Sequence, residues 1–86
     1  MSLYTSILSS LSEYSKTAGV LLVTIPDATE VRLRINLGNA RRNGHIRGEW
    51  SPAGLNKHSI YSITDKGRKR LEKLLEPPQG QMELGI

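Results

Sequence analysis

The sequence predicts a small α+β domain: helices first, then a two- or three-stranded hairpin sheet, then a closing helix. Three observations carry that prediction. Apolar residues Leu3, Ile7, Leu8 and Leu11 recur at three- and four-residue steps near the N-terminus. A basic segment running into Gly44 is followed by two short β-rich runs on either side of the breaker-rich stretch Ser51–Lys57. Thr64 and Asp65 then open a second amphipathic segment that ends before Pro77 and Pro78.

The first helix is expected from residue 3 to about residue 17, with Ser2 as its cap and Leu3, Ile7, Leu8, Leu11, Tyr14 and Ala18 on its inner side. Residues 17–25 are ambiguous. Val20, Leu21, Leu22, Val23 and Ile25 favour a strand by composition, yet a short buried helix fits equally until Pro26-Asp27 ends it. From Thr29 two periodicities compete. Val31, Leu33, Ile35 and Leu37 alternate with Arg32, Arg34 and Asn36 as in a strand, whereas Leu33, Leu37, Ala40 and Gly44 share one side of a helix. The helix over Thr29–Asn43 is adopted, which leaves Val31 and Ile35 off the core side. Gly44 suits a left-handed helix end. His45–Trp50, with Ile46 inward, and Ser59–Thr64 are the expected strands. Leu71, Leu74 and Leu75 form the expected buried stripe of the last helix. The domain is thus placed at 1–76, with a flexible tail at 77–86.

Two motifs resemble those of winged helix-turn-helix domains in small bacterial and phage transcriptional regulators. Asn39-Ala40-Arg41-Arg42-Asn43-Gly44-His45-Ile46 is similar to the end of their recognition helix and the entry to the wing. Tyr61-Ser62-Ile63-Thr64-Asp65-Lys66-Gly67-Arg68 is similar to their strand-to-helix junction. The resemblance implies a three-helix bundle, a wing and a fourth helix, with the third helix in the major groove of duplex DNA and the wing on its backbone. It departs in residues 17–36, where the second helix is not evident and Ile35 stands at a position usually small or polar.

Charge agrees with that implication. Residues 1–30 hold one Lys and three acids (Glu13, Asp27, Glu30), net −2, so the chain's excess of +4 comes entirely from residues 31–86. A groove-reading helix needs Arg for guanine, Asn for adenine and further cations for phosphates. Arg32, Arg34, Asn36, Asn39, Arg41 and Arg42 supply these on the third helix, and Arg47, Lys57 and His58 are their counterparts in the wing. Asn39 and Asn43 equally suit backbone groups near the helix end, and the wing residues a solvated loop. Lys66, Arg68, Lys69, Arg70 and Lys73 read as a solvated set balanced by Asp65, Glu72 and Glu76. Trp50, the sole Trp, reads as a cover for the core.

No nucleophile motif or phosphate-cradling glycine loop supports catalysis, and no cofactor is implied. With no Cys and two separated His, no zinc site is expected. The longest apolar run is far below the roughly 20 residues a membrane span needs, so a cytoplasmic location is expected. A chain this small hides only about 60% of its unfolded surface, which favours a homodimer. The tail residues Gln81, Met82, Leu84 and Ile86 resemble peptides that bind the bacterial sliding clamp. Two rival readings remain open here. One is a winged helix used for protein contact, as in a phage accessory factor gripping a host protein. The other is a β-rich nucleic-acid binder, should residues 20–37 form a hairpin.

Overall fold

Capping threonines and serines punctuate the chain into its helices, as seen in a computed structural model in which residues 1–76 are described. The flexible tail and clamp-binding peptide expected at 77–86 lie outside the described residues. The elements run α1 (Leu3–Glu13), β1 (Lys16–Thr17), α2 (Ala18–Thr24), α3 (Glu30–Arg42), β2 (Ile46–Arg47), β3 (Ile60–Ile63) and α4 (Asp65–Leu75). Each helix starts on a hydroxyl that accepts from a backbone amide three residues on: Ser2 from Thr5, Thr17 from Val20, Thr29 from Arg32 and Thr64 from Gly67. Such caps are worth about 1 kcal/mol each.

The first helix is shorter than its periodicity predicts. It ends at Glu13 because Lys16 and Thr17 leave the helical conformation to pair with Tyr61 and Ile60, and because Thr17 is needed as the cap of α2. Tyr14 therefore faces solvent, while Ala18 is buried from α2 rather than from α1. Within the ambiguous stretch 17–25, Ala18–Thr24 is helix, with Thr17 and Ile25 as its caps. The competing strand over residues 29–43 is likewise a helix, with Leu33, Leu37 and Ala40 buried on one side. Between α2 and α3, Asp27 holds a positive φ of 66°. Asp tolerates that conformation better than most residues, and it lets the chain reverse in a few residues.

The three strands form one antiparallel sheet in the order β1-β3-β2, with Ile46 opposite Ile63 and Arg47 opposite Ser62. The strands of the hairpin are shorter than the expected 45–50 and 59–64. Gly48, at φ 152°, turns the chain out of the ladder, so Trp50 packs on α3 instead of pairing. The core is a single cluster of Leu3, Ile7, Leu8 and Leu11 from α1, Leu21 and Ile25, Leu33 and Leu37 from α3, and Ile46, Tyr61 and Leu71. Each fully buried aliphatic side chain contributes on the order of 1.5–3 kcal/mol. Leu74 and Leu75 are exposed, contrary to the expected stripe; only Leu71 of the three is buried. Helical phase picks the side that faces the body, but not how far along α4 the body extends.

The corner between α3 and β2 is the tightest part of the fold. Gly44 takes φ 76°, its amide donates to the Arg41 carbonyl at 3.0 Å, and the His45 amide donates to Ala40 at 2.9 Å. Thr64 reaches across, its hydroxyl donating to the Gly44 carbonyl at 2.6 Å and its amide to the His45 carbonyl at 3.0 Å. The first turn of α4 lies so close that a Cβ on Gly67 would overlap the His45 carbonyl oxygen. Because the obstacle is backbone, it cannot rotate away. Gly67→Ala is expected to lower stability by about 1–3 kcal/mol, a fall of very roughly 4–20 °C in the thermal midpoint of a domain this size. Differential scanning calorimetry of the two chains measures it.

Candidate nucleic-acid interface

The side of α3 opposite Leu33, Leu37 and Ala40 carries Val31, Ile35 and Arg42, with Arg32 and Asn39 beside them. That assignment follows from a turn of about 100° per residue. All five are exposed in the structure. One shoulder of this face is covered by the loop between β2 and β3. The Trp50 indole nitrogen donates to the Arg34 carbonyl at 2.7 Å, and its ring lies where a Cβ on Gly38 would stand, 2.8 Å away. Trp50 is therefore a half-buried cover over the core and not a projecting contact.

The arginines are held by carbonyls. Arg32 donates to the Asp27 carbonyl at 3.0 Å, Arg34 to Pro52 at 3.3 Å and Arg41 to Gly48 at 2.8 Å. Arg42 donates to the side-chain oxygen of Asn39 at 3.3 Å. These bonds orient the guanidinium groups without cancelling their charge. Among the described residues only two ion pairs form, Lys16 with Glu13 at 2.7 Å and Lys57 with Glu30 at 3.3 Å. Neither removes an arginine of α3.

The other sequence-predicted positions separate. Arg47 is exposed on β2, whereas Lys57 and His58 are exposed in the loop, the former tied to Glu30 at the start of α3. Asn36 turns back, donating to the Arg32 carbonyl at 2.8 Å, and Asn43 donates to the Tyr4 hydroxyl at 3.2 Å. Asn39 alone of the three amides is exposed on the outer face with its nitrogen uncommitted to protein carbonyls among the described residues. The amides of Ala18 and Gly19 that open α2 donate to Ser59 and Lys57 of the loop, so they are occupied internally.

Sequence reasoning missed one group. Lys66 and Arg70 of α4 line a cleft of about 730 Å³ with Arg42, Tyr4, Asn43 and His45, and no carboxylate of the described residues lines it. The basic face of α3 thus continues around its C-terminal end onto α4. Alternating charges along α4 had suggested mutual neutralisation. No α4 cation lies within ion-pair distance of a carboxylate among the described residues, however. In the cleft Asn43 donates to the Tyr4 hydroxyl, which shares a hydrogen bond of 2.5 Å with Nδ1 of His45. Burial holds the His45 pKa below its ordinary value, and the neighbouring charges of Lys66 and then Arg70 add to that effect.

No protein-family model matches this chain, and no curated protein matches it in sequence. Solved structures do match in fold. Bacillus subtilis PadR, in a complex with operator DNA, aligns with a TM-score of 0.72 and 18% identity over 90% of this chain. A variant of Lactococcus lactis ZitR gives 0.65 and 15% over 86%, and a Thermoplasma acidophilum protein named as a transcriptional regulator gives 0.66 and 22% over 96%. The chain spans about half of the PadR and ZitR chains, at 48% and 49%, and 82% of the third. Four helices with a small antiparallel sheet in this order are a winged helix, the fold that the two motifs implied.

His45 generates a pH dependence with a definite sign. Its pKa is lowered in the folded chain, so the unfolded chain takes up a proton that the folded chain refuses. The stability tied to neutral His45 is complete above the unfolded value of about 6.5 and falls as the pH drops below it. Thermal midpoints measured between about pH 7.5 and 5.5 should decline across that window, and His45→Asn should flatten the decline.

Proposed function

We propose that this chain binds double-stranded DNA in a sequence-specific manner as the reading domain of a transcriptional regulator. The outer face of α3 enters the major groove, and the arginines beside it rest on phosphates. The observation that carries the reading is the set of arginines on α3 anchored by neutral carbonyls, so that their charge is oriented and undiminished. Oriented but unneutralised guanidinium groups fit a polyanion, because the geometry is fixed before binding while the electrostatic attraction is kept. The structural likeness to PadR, which was solved on operator DNA, supports the same reading.

Within it, roles divide by position. Arg42 and Asn39 lie on the exposed face and are assigned to base edges, where Arg recognises guanine and Asn adenine. Arg32 and Arg34 flank that face and are assigned to the backbone. Arg41 is pinned to the Gly48 carbonyl at the base of the wing, so it helps to set the wing's angle and presents its remaining donors to phosphate. Arg47 and His58 extend the basic surface along the wing, with Lys57 shared between Glu30 and the polyanion. Lys66 and Arg70 prolong it past the end of α3. Asn36 and Asn43 are spent on internal bonds and stay out of the contact set. A twofold operator read by a homodimer follows from the small size of one reading face, and the cytoplasm is where such a regulator meets its DNA.

Binding should weaken steeply with salt, with a slope of log K against log salt near −0.9 for each phosphate contact, hence about −6 if Arg32, Arg34, Arg41, Arg47, Lys57, Lys66 and Arg70 each meet a phosphate. Arg32→Ala should reduce the magnitude of that slope by about one contact on any duplex. Arg42→Glu, which sets an anion against the groove, should abolish binding while circular dichroism stays unchanged. Fluorescence anisotropy with a labelled duplex at several salt concentrations measures both; an Arg42→Glu chain that binds normally removes α3 from the interface.

A further inference from the structure

Val31 and Ile35 are the anomaly of the exposed face. They are 60% and 49% exposed, one turn apart, and unused by the core. Arg32, Asn39 and Arg42 border them, and the only carboxylate of α3, Glu30, is drawn aside by Lys57 at 3.3 Å. An apolar pair set within cations and an amide does not suit an apolar protein surface, which would bury those charges unpaired. It does suit the major groove, whose walls are anionic and whose floor offers a single apolar feature, the 5-methyl group of thymine.

We infer that Val31 and Ile35 are specificity determinants that read the methyl groups of two thymines. The assignment rests on the DNA-binding reading above. Residues four apart on a helix hold their Cβ atoms about 5–6 Å apart. Stacked base pairs rise about 3.4 Å, so the two methyl groups belong to base pairs one or two steps apart. Both side chains are β-branched and therefore stiff at χ1, which fixes their methyl groups before contact. Arg42, on the same face about two turns beyond Ile35 and three beyond Val31, faces a guanine beyond the thymine pair. The preferred site is thus a short thymine step followed by guanine, not a guanine-only or mixed polar code.

The test begins with in vitro selection on random duplex by the unaltered chain. Each thymine of the selected site is then replaced singly by deoxyuridine, which removes one methyl group and leaves every hydrogen bond in place. Two positions, one or two steps apart, should each lose about fourfold in affinity, the value of one buried methyl-sized group. Val31→Ser and Ile35→Ser should each abolish the thymine-to-deoxyuridine difference at one of those positions. Being exposed, both substitutions should leave the circular dichroism spectrum unaltered. Equal affinity for thymine and deoxyuridine at every position overturns the inference, as does full thymine dependence in both serine variants. Unchanged duplex affinity in the serine variants overturns it too, and would mark the stripe as a surface for a protein partner. A chain that binds no duplex at low salt sinks the DNA-binding reading itself, and this assignment with it; selection that enriches nothing despite tight binding sinks the assignment alone.

Discussion

The approach of α4 to the backbone of His45 is the constraint on which the rest of the molecule depends. Gly67 leaves room for a carbonyl that any side chain would displace. Thr64 uses one hydroxyl twice, accepting from the Gly67 amide at 3.0 Å and donating to the Gly44 carbonyl at 2.6 Å. A single residue therefore finishes one helix and begins another, and the left-handed turn at Gly44 is clamped from both directions. Because α4 also packs on α1, this clamp fixes the roll of α3 about its axis. The roll decides which side chains meet solvent.

Electrostatics follow from that geometry. In a low-dielectric or crowded setting a carboxylate beside each arginine would orient it well and neutralise it at once. Carbonyl partners separate the two effects, giving direction at nearly full charge. The result is a set of unneutralised cations running from Arg32 in the first turn of α3 to Lys66 and Arg70 in the first turns of α4. The protein bears the cost as self-repulsion, which a small domain tolerates when its cations stay solvated. The depressed basicity of His45 comes first from its burial, and Lys66 and Arg70 add a smaller share of that repulsion to it.

Most of the framework was legible in the chain because it is written locally. Serine and threonine caps, the glycine after Arg42 and Asn43, and the period of Leu33, Leu37 and Ala40 each act within a few residues. What was not legible is non-local. The two-residue strand at Lys16–Thr17 exists only because Tyr61 and Ile60 lie opposite, so no period of its own announces it. The same holds for Trp50, whose position depends on the absence of a side chain at Gly38. Strict alternation over Val31–Leu37 had imitated a strand. It is better understood as a helix whose outer positions 31 and 35 are apolar for a reason other than the core. The grouping of Lys66 and Arg70 with Arg42 joins segments more than twenty residues apart, and composition alone had placed the α4 cations among their own acids.

The indole of Trp50 has a consequence for how α3 comes to exist at all. With a glycine at its centre and β-branched residues at two positions, the segment is a poor helix former in isolation. The indole shares the Arg34 carbonyl that the helix offers to Gly38, filling the notch that the glycine leaves. The rod is thus braced at its weakest point by a loop that follows it in the chain. Its straightness is on loan from that loop, and any event that lifts the loop would soften the rod in the middle while its capped start and clamped end stayed in place.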